Sequence, residues 1–131
     1  MTETLKKEIV ITVGGKSFTI PFPKIRQQFD IESRKHLFAK NTYGIQEASG
    51  TNDSAFNLNL VDAIAHFAVL LPDLPSKFDM DGYYELDMGD QITIDILKAY
   101  KKDFYPWYQK IKEEINKQVN ESDASTSKDE N

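Results

Sequence analysis

The residues of this sequence that could do chemistry include two histidines, and neither lies in a recognisable site. His36 and His66 fall on different predicted helices, and the sequence has no cysteine that could complete a metal site with them. Metal and acid–base sites need further His, Cys or carboxylate groups at defined spacings, and no such pattern surrounds either histidine. We therefore interpret His66, which lies in a strongly apolar stretch, as a hydrogen-bonded residue of the core or of an interface.

Two short segments match ligand-binding loops only in part. Asp79-Met80-Asp81-Gly82 begins like a calcium loop, but the EF-hand spacing and its distal bidentate glutamate are missing. Gly14-Gly15-Lys16-Ser17 ends like a phosphate-binding loop, but the first glycine is missing and a strand follows instead of a helix. The sequence therefore predicts no catalytic residue, no metal, no cofactor and no small-molecule substrate. An enzyme whose site is assembled only in three dimensions stays open as an alternative.

The most informative segment concentrates aromatic residues around Pro106. Five aromatic side chains, one of them the only tryptophan, fall within the nine residues from Tyr100 to Tyr108. Large aromatic side chains stabilise cores and also dominate interface hot spots, so both roles are open. They cannot all face one inward stripe of a helix, and we expect Tyr105 or Tyr108 to point outward. The predicted partner-binding residues are Tyr100, Tyr105, Trp107, Tyr108 and Ile111.

The composition indicates a single acidic domain of 131 residues with a net charge of -5. Proteins that bind nucleic acid usually present a basic face, so the charge argues against that partner. No stretch approaches the ~20 apolar residues of a membrane span, and the first residues lack the apolar core of a signal peptide. We therefore expect a protein that stays in the cytoplasm in which it is made or enters a particle assembled there.

The N-terminal elements that would position these residues begin with a β-hairpin. Residues 9–13 and 16–20 alternate with period two, and Gly14-Gly15 between them suits a tight primed turn. A two-residue turn pairs Ile11 with Phe18 and Ile9 with Ile20. One face then carries Ile9, Ile11, Val13, Phe18, Ile20 and Phe22, and a lone hairpin must bury such a face.

Two helices are predicted after the hairpin. Residues 24–40 form one bent helix or two short ones, and the inward candidates are Ile25, Phe29, Leu37 and Phe38. A polar connection over residues 41–54 leads to a helix over residues 55–71, capped by Asp53 or Ser54. This helix is apolar on most sides, as in the centre of a fold, with one polar stripe formed by Asn59, Asp62 and His66.

The last predicted helix spans residues 90–118, after a connector with a short turn around residues 83–86. Its apolar residues step by three and four across Pro106, which predicts a kink or a junction of two helices there. The stripe consists of Leu97, Tyr100, Phe104, Trp107, Ile111 and Ile115.

Together these elements predict an α+β fold, in which the hairpin (residues 9–22) packs on three or four mainly antiparallel helices. Residues 1–8 are expected to form a flexible N-terminus and residues 9–119 a single globular domain. Residues 120–131 contain no large apolar residue and are expected to form a disordered acidic tail.

Several segments in order along residues 9–112 carry a resemblance to a protein family. After the opening hairpin these are Ile20-Pro21-Phe22-Pro23, Phe29-Asp30-Ile31-Glu32, Tyr43-Gly44, Ser49-Gly50-Thr51, Leu60-Val61-Asp62-Ala63-Ile64-Ala65, Leu71-Pro72-Asp73-Leu74 and Ala99-Tyr100-Lys101-Lys102-Asp103-Phe104-Tyr105-Pro106-Trp107-Tyr108. With them the chain resembles small proteins encoded among the virion and tail genes of tailed bacteriophages, particularly of Bacteroidetes hosts, and among these it most resembles tail assembly chaperones.

The resemblance implies a non-enzymatic role in phage morphogenesis. Tail assembly chaperones bind the long helical tape-measure protein and keep it soluble while the tail tube polymerises around it. It therefore implies a protein client with an apolar helix, held in a groove between the helices at residues 55–71 and 90–118, in the cytoplasm of the infected bacterium. Self-association is also open. The alternative is a permanent virion component that decorates the capsid or joins the tail.

Overall fold

The computed structural model of the protein describes residues 7–71 and 87–130 of the chain. Within these residues lie a two-stranded hairpin, five α-helices and one π-helical segment, so the fold is α+β, as the sequence predicts. Most of the N-terminus predicted to be flexible, and the turn predicted around residues 83–86, lie outside the described residues. The elements are β1 (Glu8–Val13), β2 (Lys16–Pro21), α1 (Ile25–Phe38), α2 (Tyr43–Ser49), α3 (Asn52–Leu70), α4 (Gln91–Lys98), the π-helical segment (Ala99–Phe104) and α5 (Tyr105–Glu130).

The hairpin forms in the predicted register. Ile9 pairs with Ile20 and Ile11 pairs with Phe18 across the antiparallel ladder. The φ angles of Gly14 and Gly15 are 59° and 79°, and positive φ at both central residues is the requirement of a type I′ turn. The predicted inward face is also confirmed, because its side chains are buried or half-buried while Val10 and the threonines beside it are exposed. Through β1 the hairpin packs on α4 and on the π-helical segment.

The inward face of α1 differs from the prediction. The helix is continuous and buries Ile31 and Phe38 against α3. Ile25, Phe29 and Leu37, predicted to point inward, are exposed, the first two by 77% and 72%. Residues 31 and 38 are two turns apart and share one face, and the three exposed residues lie on the other side. The prediction was correct for Phe38 and wrong for the other three residues, because apolar residues occur on both sides of this helix.

The polar connection between α1 and α3 contains the extra helix α2. Lys40 and Asn41 follow α1 with positive φ angles of 53° and 63°, and the Asn41 N–H donates to the His36 carbonyl oxygen at 2.9 Å. This left-handed pair turns the chain sharply into α2. The cap of α3 is also different from the prediction, since the Thr51 hydroxyl, and not Asp53 or Ser54, accepts from the Ser54 N–H at 3.1 Å.

The π-helical segment resolves the problem posed by Pro106. The Tyr105 N–H donates to the Tyr100 carbonyl oxygen, five residues earlier, which is the wide turn of a π-helix. Pro106 then falls in the first turn of α5, where a missing N–H is tolerated. Of the predicted inward stripe, Tyr100, Phe104 and Ile111 are buried and Ile115 is exposed, and Tyr108 lies inward in place of Trp107, which is only half-buried.

The last helix continues beyond its predicted end near Gln118 and reaches Glu130. Adding a residue to an existing helix is inexpensive compared with nucleating one, so a polar segment can extend a helix without tertiary contacts. Residues 120–131 contain no large apolar residue with which to pack. The disorder of this tail in solution therefore stays a prediction.

Burial of the hairpin's inward face makes the two faces respond differently to a charge. Ile11 is 1% exposed and Val10, its neighbour on the same strand, is 60% exposed. Ile11→Asp should cost at least about 3–5 kcal/mol, because it buries a carboxylate without a partner. Val10→Asp should change stability by less than about 0.5 kcal/mol. Thermal unfolding followed by circular dichroism measures both, and equal melting temperatures would mean that the hairpin is a free arm.

Candidate functional site

The five residues predicted to bind a partner divide between interior and surface. Tyr100, Tyr108 and Ile111 are buried, so their side chains belong to the core of the chain as it stands. Tyr105 is 42% exposed and Trp107 is half-buried. The expectation that Tyr105 or Tyr108 points outward holds for Tyr105 alone. Of the five predicted residues, only Tyr105 and Trp107 are therefore accessible to a partner in this structure.

Aromatic rings fill the space between α3 and the C-terminal helices. The ring of His66 lies 5.2 Å from that of Tyr100 and 5.4 Å from those of Phe104 and Tyr108, measured between centroids. Phe67 also contacts Phe104, at 5.8 Å. The groove that we expected to hold a client helix between these elements is therefore occupied here by the protein's own side chains.

His66 is the hydrogen-bonded core residue that the sequence predicts. Its side chain is 3% exposed, and Nδ1 lies 2.6 Å from the carbonyl oxygen of Asp62, one turn earlier. A carbonyl oxygen only accepts, so Nδ1 carries the hydrogen and donates it. Burial lowers the pKa of His66 to about 4, so the imidazole is neutral at pH 7.

A network of polar side chains joins α1, α2 and α3 beside this histidine. The Tyr43 hydroxyl donates to Asp62 Oδ1 at 2.8 Å, and Lys35 Nζ lies 3.8 Å from the same oxygen and 2.8 Å from Glu32 Oε2. Burial raises the pKa of Asp62, and the hydrogen bond from Tyr43 and the charge of Lys35 only partly oppose it. Burial and the bond to Asp62 raise the pKa of Tyr43. Tyr43 and Lys35 both pair with the carboxylate of Asp62, which suits a structural role in holding α1, α2 and α3 together.

Sequence analysis missed Tyr43 and Lys35 as members of this network. Tyr43 lies in a stretch read as a polar connection, and a single large aromatic residue among polar neighbours was its only signal. The predicted polar stripe of α3 did contain the acceptor, Asp62. Its partner on α2 could not be identified, because the contact joins residues 19 positions apart.

Bulky apolar side chains are exposed on the outer faces of two helices. We call them the outer apolar set: Ile25, Phe29 and Leu37 of α1 with Ile115 and Val119 of α5. Single exposed apolar residues are common, but Ile25 and Phe29 lie one turn apart on the same side of α1. Ile115 and Val119 have the same spacing on α5. Each helix therefore presents a short apolar stripe to solvent.

Neither known proteins nor the described side chains point to a role for this surface. No protein-family model, no curated protein and no solved structure matches the chain. Among residues 7–71 and 87–130, no group of three His, Asp or Glu side chains could hold a metal ion. No helix in the same part of the chain is long and apolar enough to cross a membrane.

The different burial of Tyr105 and Tyr108 predicts unequal effects for two tyrosines that the sequence treats alike. Tyr108→Ala removes a buried ring that contacts Phe104, His66 and Phe22, and should lower the free energy of unfolding by about 3–5 kcal/mol. Tyr105→Ala removes a side chain that is 42% exposed and should cost less than about 1 kcal/mol. Urea unfolding measures both, and the reverse order would contradict the π-helical register.

Burial of His66 predicts a loss of stability in acid. Its pKa is about 4 in the folded protein against an ordinary value of 6.5, so the unfolded chain binds the extra proton between these pH values. The contribution is fully present above pH 6.5 and is lost as the pH falls toward 4, by about 3 kcal/mol. The raised pKa of Asp62 acts in the opposite direction at the lower end of this window.

The two histidines provide a matched comparison for this effect, because His36 is exposed. His66→Gln should weaken the pH dependence of the free energy of unfolding, and His36→Gln should preserve it. Urea unfolding above pH 6.5 and near pH 4 gives both slopes. A His66→Gln protein with the slope of the wild type would place the acid sensitivity in other groups.

Proposed function

We propose that the chain is a non-enzymatic protein of bacteriophage morphogenesis, most specifically a tail assembly chaperone that binds an apolar helix of a client such as the tape-measure protein. It would act in the cytoplasm of the infected bacterium. Two lines of support combine: the resemblance carried by residues 9–112, and the outer apolar set. The outer apolar set is the main support, because it is an exposed surface to which a client could bind.

The outer apolar set suits contact with an amphipathic helix. A client helix with apolar side chains at i, i+3, i+4 and i+7 could cover Ile25 and Phe29 together. Burying each of these side chains contributes about 1.5–3 kcal/mol before the costs of association. The net charge of -5 meanwhile disfavours association of the free chain with itself. These features are consistent with a surface that binds a client helix reversibly.

Co-expression with the tape-measure protein of a tailed phage of Bacteroidetes tests the proposal. The wild-type chain should raise the soluble fraction of that client, and Phe29→Asp should reduce the effect about tenfold or more, as expected for a hot-spot residue. Val10→Asp is the matched control, because Val10 is also exposed but lies on the hairpin. Equal activity of all three proteins would exclude the outer face of α1 as the client site.

Mass spectrometry of purified virions separates the chaperone from the alternative, a permanent capsid-decorating or tail-joining component. A chaperone leaves before the particle is complete, so the chain should be missing from finished virions or present far below one copy per structural unit. Stoichiometric copies would contradict the chaperone proposal and favour the structural role.

A further inference from the structure

A pocket of about 560 Å³ opens where the end of α1, α2 and α3 meet. Its floor is apolar and buried, formed by Phe38, Val61 and Ile64. Pockets of about 300–1,000 Å³ enclose most of a drug-sized ligand, so more than one apolar side chain fits here. At the lip lies Met88, which is 52% exposed. Methionine is flexible and polarisable, and it adapts to apolar partners of varied shape.

One rim of the pocket consists of hydrogen-bonded amides and a hydroxyl. Asn57 Nδ2 donates to Gln46 Oε1 at 3.1 Å, and Gln46 Nε2 donates to Thr42 Oγ1 at 2.9 Å. Thr42 Oγ1 donates in turn to the carbonyl oxygen of Ala39. This chain of bonds orients both amides and uses only part of their capacity. The carbonyl oxygen of Asn57 and a second N–H of each amide stay available to a ligand.

The charges around the pocket indicate the kind of ligand. Among residues 7–71 and 87–130, its lining contains one ionisable side chain, Lys40, and no carboxylate. A ligand that meets an apolar floor and neutral amides gains most by presenting apolar side chains together with uncharged donors and acceptors. The end of a peptide helix has this chemistry, since its first N–H groups and its last C=O groups have no partner within the helix.

We propose that this pocket binds bulky apolar side chains at the end of a client helix, where the backbone groups left without helical partners hydrogen-bond to Asn57 and Gln46. The proposal rests on the proposed function for the nature of the client, and it adds a second contact, separate from the outer apolar set. Apolar side chains entering the pocket provide the affinity. The oriented amides select an uncharged backbone and disfavour ligands with a buried charge.

A titration of the full chain with a defined peptide tests the pocket. The probe is an acetylated and amidated helical peptide with Leu and Phe at i, i+3, i+4 and i+7 and with balanced Lys and Glu elsewhere. Backbone amide resonances of the ¹⁵N-labelled protein should shift at Gln46, Asn57 and Ile64. Asn57→Trp, which fills the mouth, should weaken the pocket contact at least tenfold, while Asn52→Trp, on the same helix outside the lining, should bind like the wild type.

A second variant and a second ligand complete the experiment. If Asn57→Trp fails to fold by circular dichroism, Asn57→Ala, which only removes the amide, should still weaken binding several-fold. Decanoate serves as an apolar ligand without a peptide backbone. The proposal is overturned if the peptide binds equally to the Asn57 variants, or if decanoate binds at these residues and the peptide does not. Loss of peptide binding in Phe29→Asp but not in the Asn57 variants would refute the pocket and leave the proposed function standing.

Discussion

The packing of aromatic rings around His66 determines how the two longest helices lie against each other. That packing depends on Pro106, which cannot donate a backbone hydrogen bond and would disrupt an ordinary helix at this position. The wide turn before it, closed by the bond from Tyr105 to Tyr100, accommodates the proline and rotates α5. Tyr108 then faces inward and stacks on Phe22 at 5.3 Å, so the exit of the hairpin is tied to the same cluster.

The buried His66 and the half-buried Asp62, one helical turn apart, both have a structural role. Burial disfavours the charged form of His66, and its Nδ1 hydrogen is taken by the backbone of Asp62. The Asp62 carboxylate faces the other way, toward Tyr43 and Lys35. Breaking such a network costs more than an apolar replacement of the whole would, because each remaining group would be left unpaired. The network therefore specifies which faces of α1, α2 and α3 meet.

Features that depend on residues close together in the sequence were predicted correctly, and features that depend on distant contacts were not. The hairpin register depends on alternation over a few residues and on Gly14-Gly15, so it was predicted correctly. Which face of α1 is buried depends on its contact with α3. The apolar residues of α1 lie on both sides of the helix, so the sequence alone could not identify the buried face. Tyr108, four residues after Phe104, lies inward, and Trp107, three residues after it, is half-buried. Both spacings keep a residue on the same helix face, so the periodicity could not choose between them. The partner-binding role of the five residues stays a prediction, and three of them, Tyr100, Tyr108 and Ile111, are buried in this structure.

The surface that is left suits a partner bound with moderate affinity. Three exposed residues of α1 contribute about 5–9 kcal/mol in total when buried, and association costs at least about 4 kcal/mol of this. Such a stripe alone gives binding weaker than micromolar, which corresponds to about 8 kcal/mol. A second contact on the same client, at the pocket beside Phe38, would raise the affinity through effective concentration without making either contact slow to release. Under the proposed function, these two contacts together would hold a client during assembly and still allow its release.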